Sequence, residues 1–389
     1  MPTFGSLMKH LRLAARLSLR ALANRVYVHP GHLSRIERGI RHPTPELAIA
    51  LDRALHAEGR LVALAPPTDA RAVDSAARES ERLALLLDAP AGELVDDLGA
   101  RTDRLAVDYL GQPAATMHAQ ATDLRRIAGR ALRRTRRAAP ATDLTLAVGR
   151  LSGVLAYAAL DVGQPVAAMA HADLALACAD QAGGSGLRAW VRGTQSLIAR
   201  FAGDYPAALD YAVDGLADAV GSARVRLLCG VAQCYANMND GPAAHRALAA
   251  AVAARDEVDG DGPGIFGFSP AKQAYYSGSS LIWLDGREDA VRARAEALAA
   301  IDAWAAGPAD ERSLDDEALA HVYAATAAVQ LHDVEEVAVL LAPILDLPPE
   351  RRISWIRKRM GRVAGLLLEP PFAGDALADE LVERIRDYR

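Results

Sequence analysis

Pro30-Gly-His-Leu-Ser-Arg-Ile-Glu-Arg-Gly39 reads as one short helix with both of its ends marked. Proline suits the first helical position, because its missing N–H would have no partner there. Gly39 suits the residue just past the helix, where φ turns positive. Leu33 and Ile36, three apart, face inward and leave Gly31, His32, Ser34, Arg35 and Arg38 pointing out. A helix with a basic outer face, preceded by another short helix, is the arrangement that carries side chains into the major groove of DNA.

Working outward, Leu7, Leu11 and Ala14 keep helical spacing and predict a first helix. Ser18 is the expected N-cap of a second, which carries Leu19, Leu22, Ala23 and Val26. Tyr27-Val-His29 forms the turn, Pro43 and Pro45 punctuate a loop, and Glu46 to Leu55 gives a further amphipathic helix. Residues 1–65 hold ten Lys and Arg against four Asp and Glu, a net charge of +6; the chain as a whole carries −5, so the remainder carries −11. A basic module on an acidic body is the charge footprint of nucleic-acid binding.

These residues resemble the Cro/repressor-type (XRE) helix-turn-helix domain. The resemblance rests on Leu11-Arg12, Leu17-Ser18, Leu22-Ala23 and above all Leu33-Ser-Arg-Ile-Glu-Arg-Gly39, followed by Arg41 and Pro43. It implies a buried ion pair between Arg12 and Glu37, and a DNA-binding face comprising Arg20, Pro30, Gly31, His32, Ser34, Arg35, Arg38 and Arg41. Arg35 would read bases with His32 and Ser34 assisting, while Arg20, Arg38 and Arg41 would hold phosphates. Three positions depart from the family: Leu19 where Gln usually opens the second helix, Tyr27 where Gly usually makes the turn, and Pro30-Gly31 where long polar side chains usually stand. Few base-reading side chains remain, so dimerisation or DNA shape is expected to supply much of the selectivity.

Ala65-Pro-Pro-Thr-Asp-Ala-Arg71 interrupts the pattern. We expect a head at 1–65, a linker at 66–79 and a second domain at 80–389. The composition there is rich in Ala and Leu, with aromatics only 5% of the chain, which favours closely packed helices. One frame recurs: Gly111-Gln-Pro-Ala-Ala-Thr-Met117, Gly163-Gln-Pro-Val-Ala-Ala-Met169, Gly203-Asp-Tyr-Pro-Ala-Ala-Leu209, Asp240-Gly-Pro-Ala-Ala244, Asp285-Gly-Arg-Glu-Asp-Ala-Val291 and, more loosely, His332-Asp-Val-Glu-Glu-Val337. The small residues Thr116, Ala168, Ala208, Ala244, Ala290 and Val337 align on it. A turn, a Pro or acid opening a helix and a small residue on one face are what stacked helix pairs need. The run at 203–212 resembles the second helix of a tetratricopeptide repeat. The expected fold class is therefore all-α, a helix-turn-helix bundle followed by a tetratricopeptide-like α-solenoid. The whole resembles actinobacterial regulators that join such a head to a sensor region.

Asp256 to Ser280 is expected to be a long loop in this stack. Its Phe266, Phe268, Tyr275 and Tyr276 either line the concave face and hold a small-molecule or peptide effector, or pack onto the adjacent helix. Gly262-Pro-Gly-Ile-Phe-Gly267 matches a dinucleotide fingerprint in form only, since no strand precedes it. The run from Arg125 to Arg137 reads as a second phosphate-binding face or as a solvated face paired with Asp96, Asp97 and Asp103, and the run from Arg351 to Arg359 as a terminal amphipathic helix. Cys178, Cys229 and Cys234 lack metal-ligand spacing and are expected to be packing residues.

No nucleophile elbow, zinc-protease or phosphate-loop motif occurs, so neither catalysis nor a cofactor or metal is expected. There is no uncharged apolar run of about 20 residues and no signal-peptide core, which suggests a cytoplasmic protein. The combined expectation is a homodimeric transcriptional regulator that binds operator DNA and senses a ligand, peptide or partner. A protein-interaction adaptor with a diverged head is the alternative.

Overall fold

The computed structural model describes residues 3–26, 28–39, 43, 45–64 and 91–388. Tyr27, Arg41 and the linker expected at 66–79 lie outside the described residues. The chain is all-α, with no strand among the described residues, and divides into two compact units, Met1–Pro90 and Ala91–Arg389.

The first unit contains α1 (Phe4–Ala14), α2 (Leu19–Arg25), α3 (Pro30–Glu37) and α4 (Pro45–Ala54), closed by a 3-10 turn at Val62–Leu64. Thr3 caps α1 by accepting from the Ser6 N–H, and Ser18 caps α2 by accepting from Ala21 N–H at 3.0 Å. Pro30 opens α3 and Gly39, at φ +72°, follows it. Phe4, Met8, Leu22, Leu33, Ile36, Leu47, Leu51 and Leu61 form the core.

The buried face of α1 is not the one expected. Leu7 and Leu11 are half-buried and Ala14 is exposed, while Phe4, Gly5, Met8 and Arg12 point inward. Two inward positions are not apolar, which hid the stripe. Gly5 is there because a Cβ would lie 2.1 Å from the Ile36 carbonyl oxygen, so only glycine lets α1 lie this close to α3. Arg12 is there because Glu37 pairs with it. Asp52 closes the unit, accepting from the N–H groups of Gly59 (2.8 Å) and Leu61 (2.9 Å). Burial opposes its ionisation, but these backbone donors outweigh that and hold the carboxyl below its usual range.

The second unit is a stack of helix pairs. An inner row comprises α7 (Ala138–Asp161), α9 (Ser185–Ala202), α11 (Gly221–Asn237), α13 (Pro270–Leu281), α15 (Leu314–Gln330) and α17 (Ser354–Leu367). An outer row comprises α6 (Ala114–Arg134), α8 (Pro165–Ala182), α10 (Tyr205–Leu216), α12 (Gly241–Arg255), α14 (Arg287–Ala306), α16 (Val334–Leu345) and α18 (Ala376–Arg386). Ahead of both lies α5 (Ala91–Asp108). Apart from the segment 256–269, connections are short, so neighbours run antiparallel, and each inner helix also packs on the next inner helix.

The recurring frame sits where inner helix passes to outer helix. Gly163, Gly203, Asn239 and His332 all take positive φ there. Asp204, Asp240 and Asp333 then cap the outer helices with their side chains. Ala168, Ala208, Ala244, Ala290 and Val337 are buried as a small-residue seam. The first frame is an exception: Thr116 is exposed and Met117 takes the buried place, one residue on.

Three expectations fail locally. The loop from 256 ends at Ser269, because Ser269 caps α13 and Pro270 opens it, so Tyr275 and Tyr276 are helical. The run 351–359 is not terminal: it leads into the inner helix α17, where Trp355, Ile356 and Arg359 are buried. Of the acids expected to pair with the run Arg125–Arg137, Asp97 pairs with Arg101 and Asp103 with Arg150, and Arg130, Arg133, Arg134, Arg136 and Arg137 stay exposed. Helix α7 has the length and apolarity to cross a membrane, but it is the first member of the inner row and is packed on both sides. Cys178, Cys229 and Cys234 are free and buried, and burial pushes the Cys229 thiol up to about 12.

The inner row curls until its last member meets its first. Ser354 Oγ, at the start of α17, donates to the Leu160 carbonyl oxygen at the end of α7 at 2.6 Å. Phe201 and Trp355 meet edge to face at 4.9 Å, and the Leu314 N–H donates to the Leu110 carbonyl at 2.9 Å. The stack thus encloses its concave side.

Candidate functional site

Two surfaces invite a function, one in each unit. In the first unit, Arg12 Nε and Nη2 donate to the two Glu37 carboxylate oxygens at 2.7 and 3.1 Å, and Nη1 donates to the Leu17 carbonyl at 2.7 Å. One guanidinium thus ties α1, the α1–α2 turn and α3 together, and it is spent on structure. His29 caps α3 by accepting the Gly31 N–H on Nδ1 at 3.1 Å, a role the sequence reading missed. That bond fixes the first turn of α3, where Pro30 and Gly31 offer little side chain.

The outer face of α3 is uneven. Arg35 is exposed and bonds to nothing else among the described residues, so its guanidinium is free for an outside partner. Arg38 is exposed and turns Nε back to the Ser34 carbonyl at 3.3 Å. His32 and Ser34 are half-buried, and Arg20 on α2 is exposed. Lys9, Arg16 and Arg25 are exposed as well, which makes the unit positively charged over much of its surface.

In the second unit the curled inner row surrounds a partly open cavity. Phe268, Tyr275 and Tyr276 lie on its wall, together with Tyr109, Tyr157 and Tyr323. Phe266 does not; its ring packs at 4.9 Å on Trp190 and lies under the Arg150 guanidinium at 4.5 Å. The segment holding Phe266 is anchored inside the stack: Trp190 Nε1 donates to the Ile265 carbonyl at 3.0 Å, and Gly264 abuts the backbone of Ala106. Close backbone approaches account for two of these glycines: a Cβ on Gly264 would meet Ala106 and one on Gly267 would meet the Gly262 oxygen.

Charge enters the wall from residues that the sequence reading did not single out. Asp161, at the end of α7, accepts the Tyr109 hydroxyl at 2.5 Å. Burial, with Asp315 and Asp316 near, raises its carboxyl well above the usual range. Burial also pushes Asp315 up to about 6, against the pull of Arg351 at 3.3 Å. Arg200 and Arg226, 3% and 5% exposed, line the same cavity. The available signal was a charged or amide side chain on an otherwise apolar helix face, as at Arg200, Arg226 and Gln233.

A family model described as a helix-turn-helix domain matches residues 3–65, so this chain carries such a domain at its head. Among solved structures the chain is similar to PlcR of Bacillus thuringiensis, in a crystal structure with the peptide PapR7 and DNA. The two are 12% identical with a TM-score of 0.29, over 66% of this chain and 95% of that one. No curated protein matches the chain.

Proposed function

We propose that this protein is a transcriptional regulator of the XRE type, which binds duplex operator DNA through α3 and senses an effector with its tetratricopeptide-like second unit. The observation that carries the reading is the free, exposed Arg35 on α3 of a helix-turn-helix domain whose own arginine–glutamate pair is already satisfied. Arg35 would reach base edges, with His32 and Ser34 beside it, and Pro30 and Gly31 would let the helix backbone approach the groove floor. Arg20, Arg38 and Arg41 would contact phosphates. A single head offers few base-reading groups, so a homodimer spanning two half-sites about 34 Å apart would supply selectivity. Such a protein acts in the cytoplasm, where the chromosome lies.

Effector occupancy of the second unit would change how the two heads of the dimer are held, and with it operator affinity. A gel shift of the full chain on DNA from upstream of its own gene tests the DNA-binding half of this reading. Arg35→Ala should abolish the sequence-specific shift and leave the helical content unchanged. A shift that survives the substitution, and fades equally on all DNA as salt rises, would instead favour an adaptor with a diverged head.

A further inference from the structure

The cavity of the second unit carries acidic and basic side chains in equal number, but they are not paired alike. Six ionisable groups other than tyrosine line it: Asp161, Arg200, Arg226, Lys272, Asp315 and Asp316. Asp315 and Asp316 are answered by charge, while Asp161 has a neutral partner and burial holds its carboxyl well above the usual range. Tyr109 donates to Asp161 at 2.5 Å and Arg351 to Asp315 at 3.3 Å. Asp316 accepts from Ser313 Oγ at 2.7 Å and has the Lys272 ammonium at 3.5 Å.

The two arginines are not answered by charge. Arg226 donates to the Trp190 carbonyl and the Tyr157 hydroxyl, each at 2.7 Å, and to the Thr194 hydroxyl at 3.1 Å. Arg200 donates to the Gln233 side-chain oxygen, and its Nε is buried without an acceptor. Both lie over ring faces, Arg200 over Tyr276 at 5.6 Å and Arg226 over Trp190 at 5.0 Å, which are further neutral partners. No ion pair joins either arginine to a carboxylate among the described residues. A buried guanidinium without a counter-ion is costly, and a cavity beside two of them offers the place for one.

The remaining wall is aromatic. Phe268 and Tyr276 meet edge to face at 5.0 Å, Tyr275 and Tyr323 lie 5.5 Å apart, and Trp355 closes the same space. Ring walls favour a flat apolar body by offset stacking. Asp315 and Asp316, which line the same cavity, disfavour a second negative charge on the occupant.

We propose that this cavity is a binding site for a small aromatic carboxylic acid, whose carboxylate is held by Arg200 and Arg226 and whose ring lies among the tyrosines. The proposal names the effector class for the sensing reading above and rests on it for its regulatory meaning, while the binding itself can be tested alone.

The test is calorimetric titration and thermal unfolding of the full chain with three probes of one shape: benzoate, benzamide and benzylamine. Benzoate should bind saturably, one per chain, at about 1 mM or tighter, the scale open to a fragment of this size. It should raise Tm, while the neutral and cationic probes at the same concentration should not. Arg200→Met and Arg226→Met should each weaken benzoate at least tenfold. Arg200→Met should itself unfold no lower than the parent, because it removes an unneutralised charge; if either variant fails to fold, the preference of the parent chain among the three probes still decides. Equal response to the three probes, preference for benzylamine, no benzoate response, or undiminished benzoate binding by a folded Arg200→Met overturns the proposal. A gel shift without any acid separates the two ideas. A chain that binds benzoate but shifts no DNA keeps the site and loses the regulator, and the reverse result does the opposite.

Discussion

Arg12 and Glu37 form a two-pronged ion pair at 2.7 and 3.1 Å, with both side chains less than a tenth exposed. The pair joins the first helix to the end of the third, which is the helix proposed to contact DNA. Removing one member leaves the other charge buried, so Glu37→Ala should destabilise the head by about 3–5 kcal/mol. Replacing both with Met should cost less than either single change, because no charge is stranded. Hydrogen exchange of amides in residues 4–61 reads this out; equal protection in parent and Glu37→Ala would refute it.

Gly5 lies under the same helix end, where a Cβ would come within 2.1 Å of the Ile36 oxygen and 2.9 Å of the Glu37 oxygen. Neither neighbour is a flexible tip, so α1 must move away. Gly5→Ala should cost about 2–4 kcal/mol, on the scale of overpacking at a rigid backbone contact. The expected outcome is loss of any DNA shift with unchanged thermal unfolding of the second unit. A normal shift by Gly5→Ala would contradict it.

The head was legible in the sequence wherever a signal is local. Ser18, Pro30 and Gly39 mark helix ends by the chemistry of one residue each, and each stands where such a residue belongs. The stripe on α1 was misread because a glycine and an arginine occupy buried places that periodicity assigns to apolar side chains. In the body, the turn and cap of each frame are likewise local, so the repeating pairs were readable. Their closure was not. It depends on a small rotation at every pair, accumulated from Leu160 round to Ser354, and no single residue carries it. The charged wall was hidden for the same reason: Asp161, Arg200, Arg226 and Asp315 belong to four different helices and meet only after the row has curled.

Asp315 gives the second unit a pH dependence of unusual sign. Burial, outweighing Arg351, pushes its carboxyl up to about 6, while an unfolded aspartate titrates near ~3.9. The folded state therefore holds the proton more tightly. Its contribution to stability is fullest below about pH 4, falls as pH rises towards about 6, and stays level above. The gap corresponds to about 3 kcal/mol. Asp315→Asn keeps an acceptor for Arg351 and cannot ionise, so it should match the parent near pH 4 and exceed it at pH 7. Parallel denaturation midpoints for the two chains from pH 4 to 7 would remove this account.

Gly264 decides whether the aromatic segment stays inside the stack. Its φ is +54°, and a Cβ there would fall 2.0 Å from the Ala106 oxygen and 2.2 Å from its carbon, both backbone atoms of α5. Gly264→Ala therefore combines a strained backbone with a clash that no rotamer relieves, and should cost about 2–4 kcal/mol. The displaced segment would carry off the Ile265 carbonyl that accepts from Trp190 and the Phe266 ring tilted against that indole. Trp190 would then gain water on one face, so its fluorescence should shift to longer wavelength. Arg226, which donates to the Trp190 carbonyl, would lose part of its positioning, and benzoate affinity should fall with the spectral change. A variant with parental emission and parental benzoate affinity would show that the segment is held by something other than its glycine contact with α5.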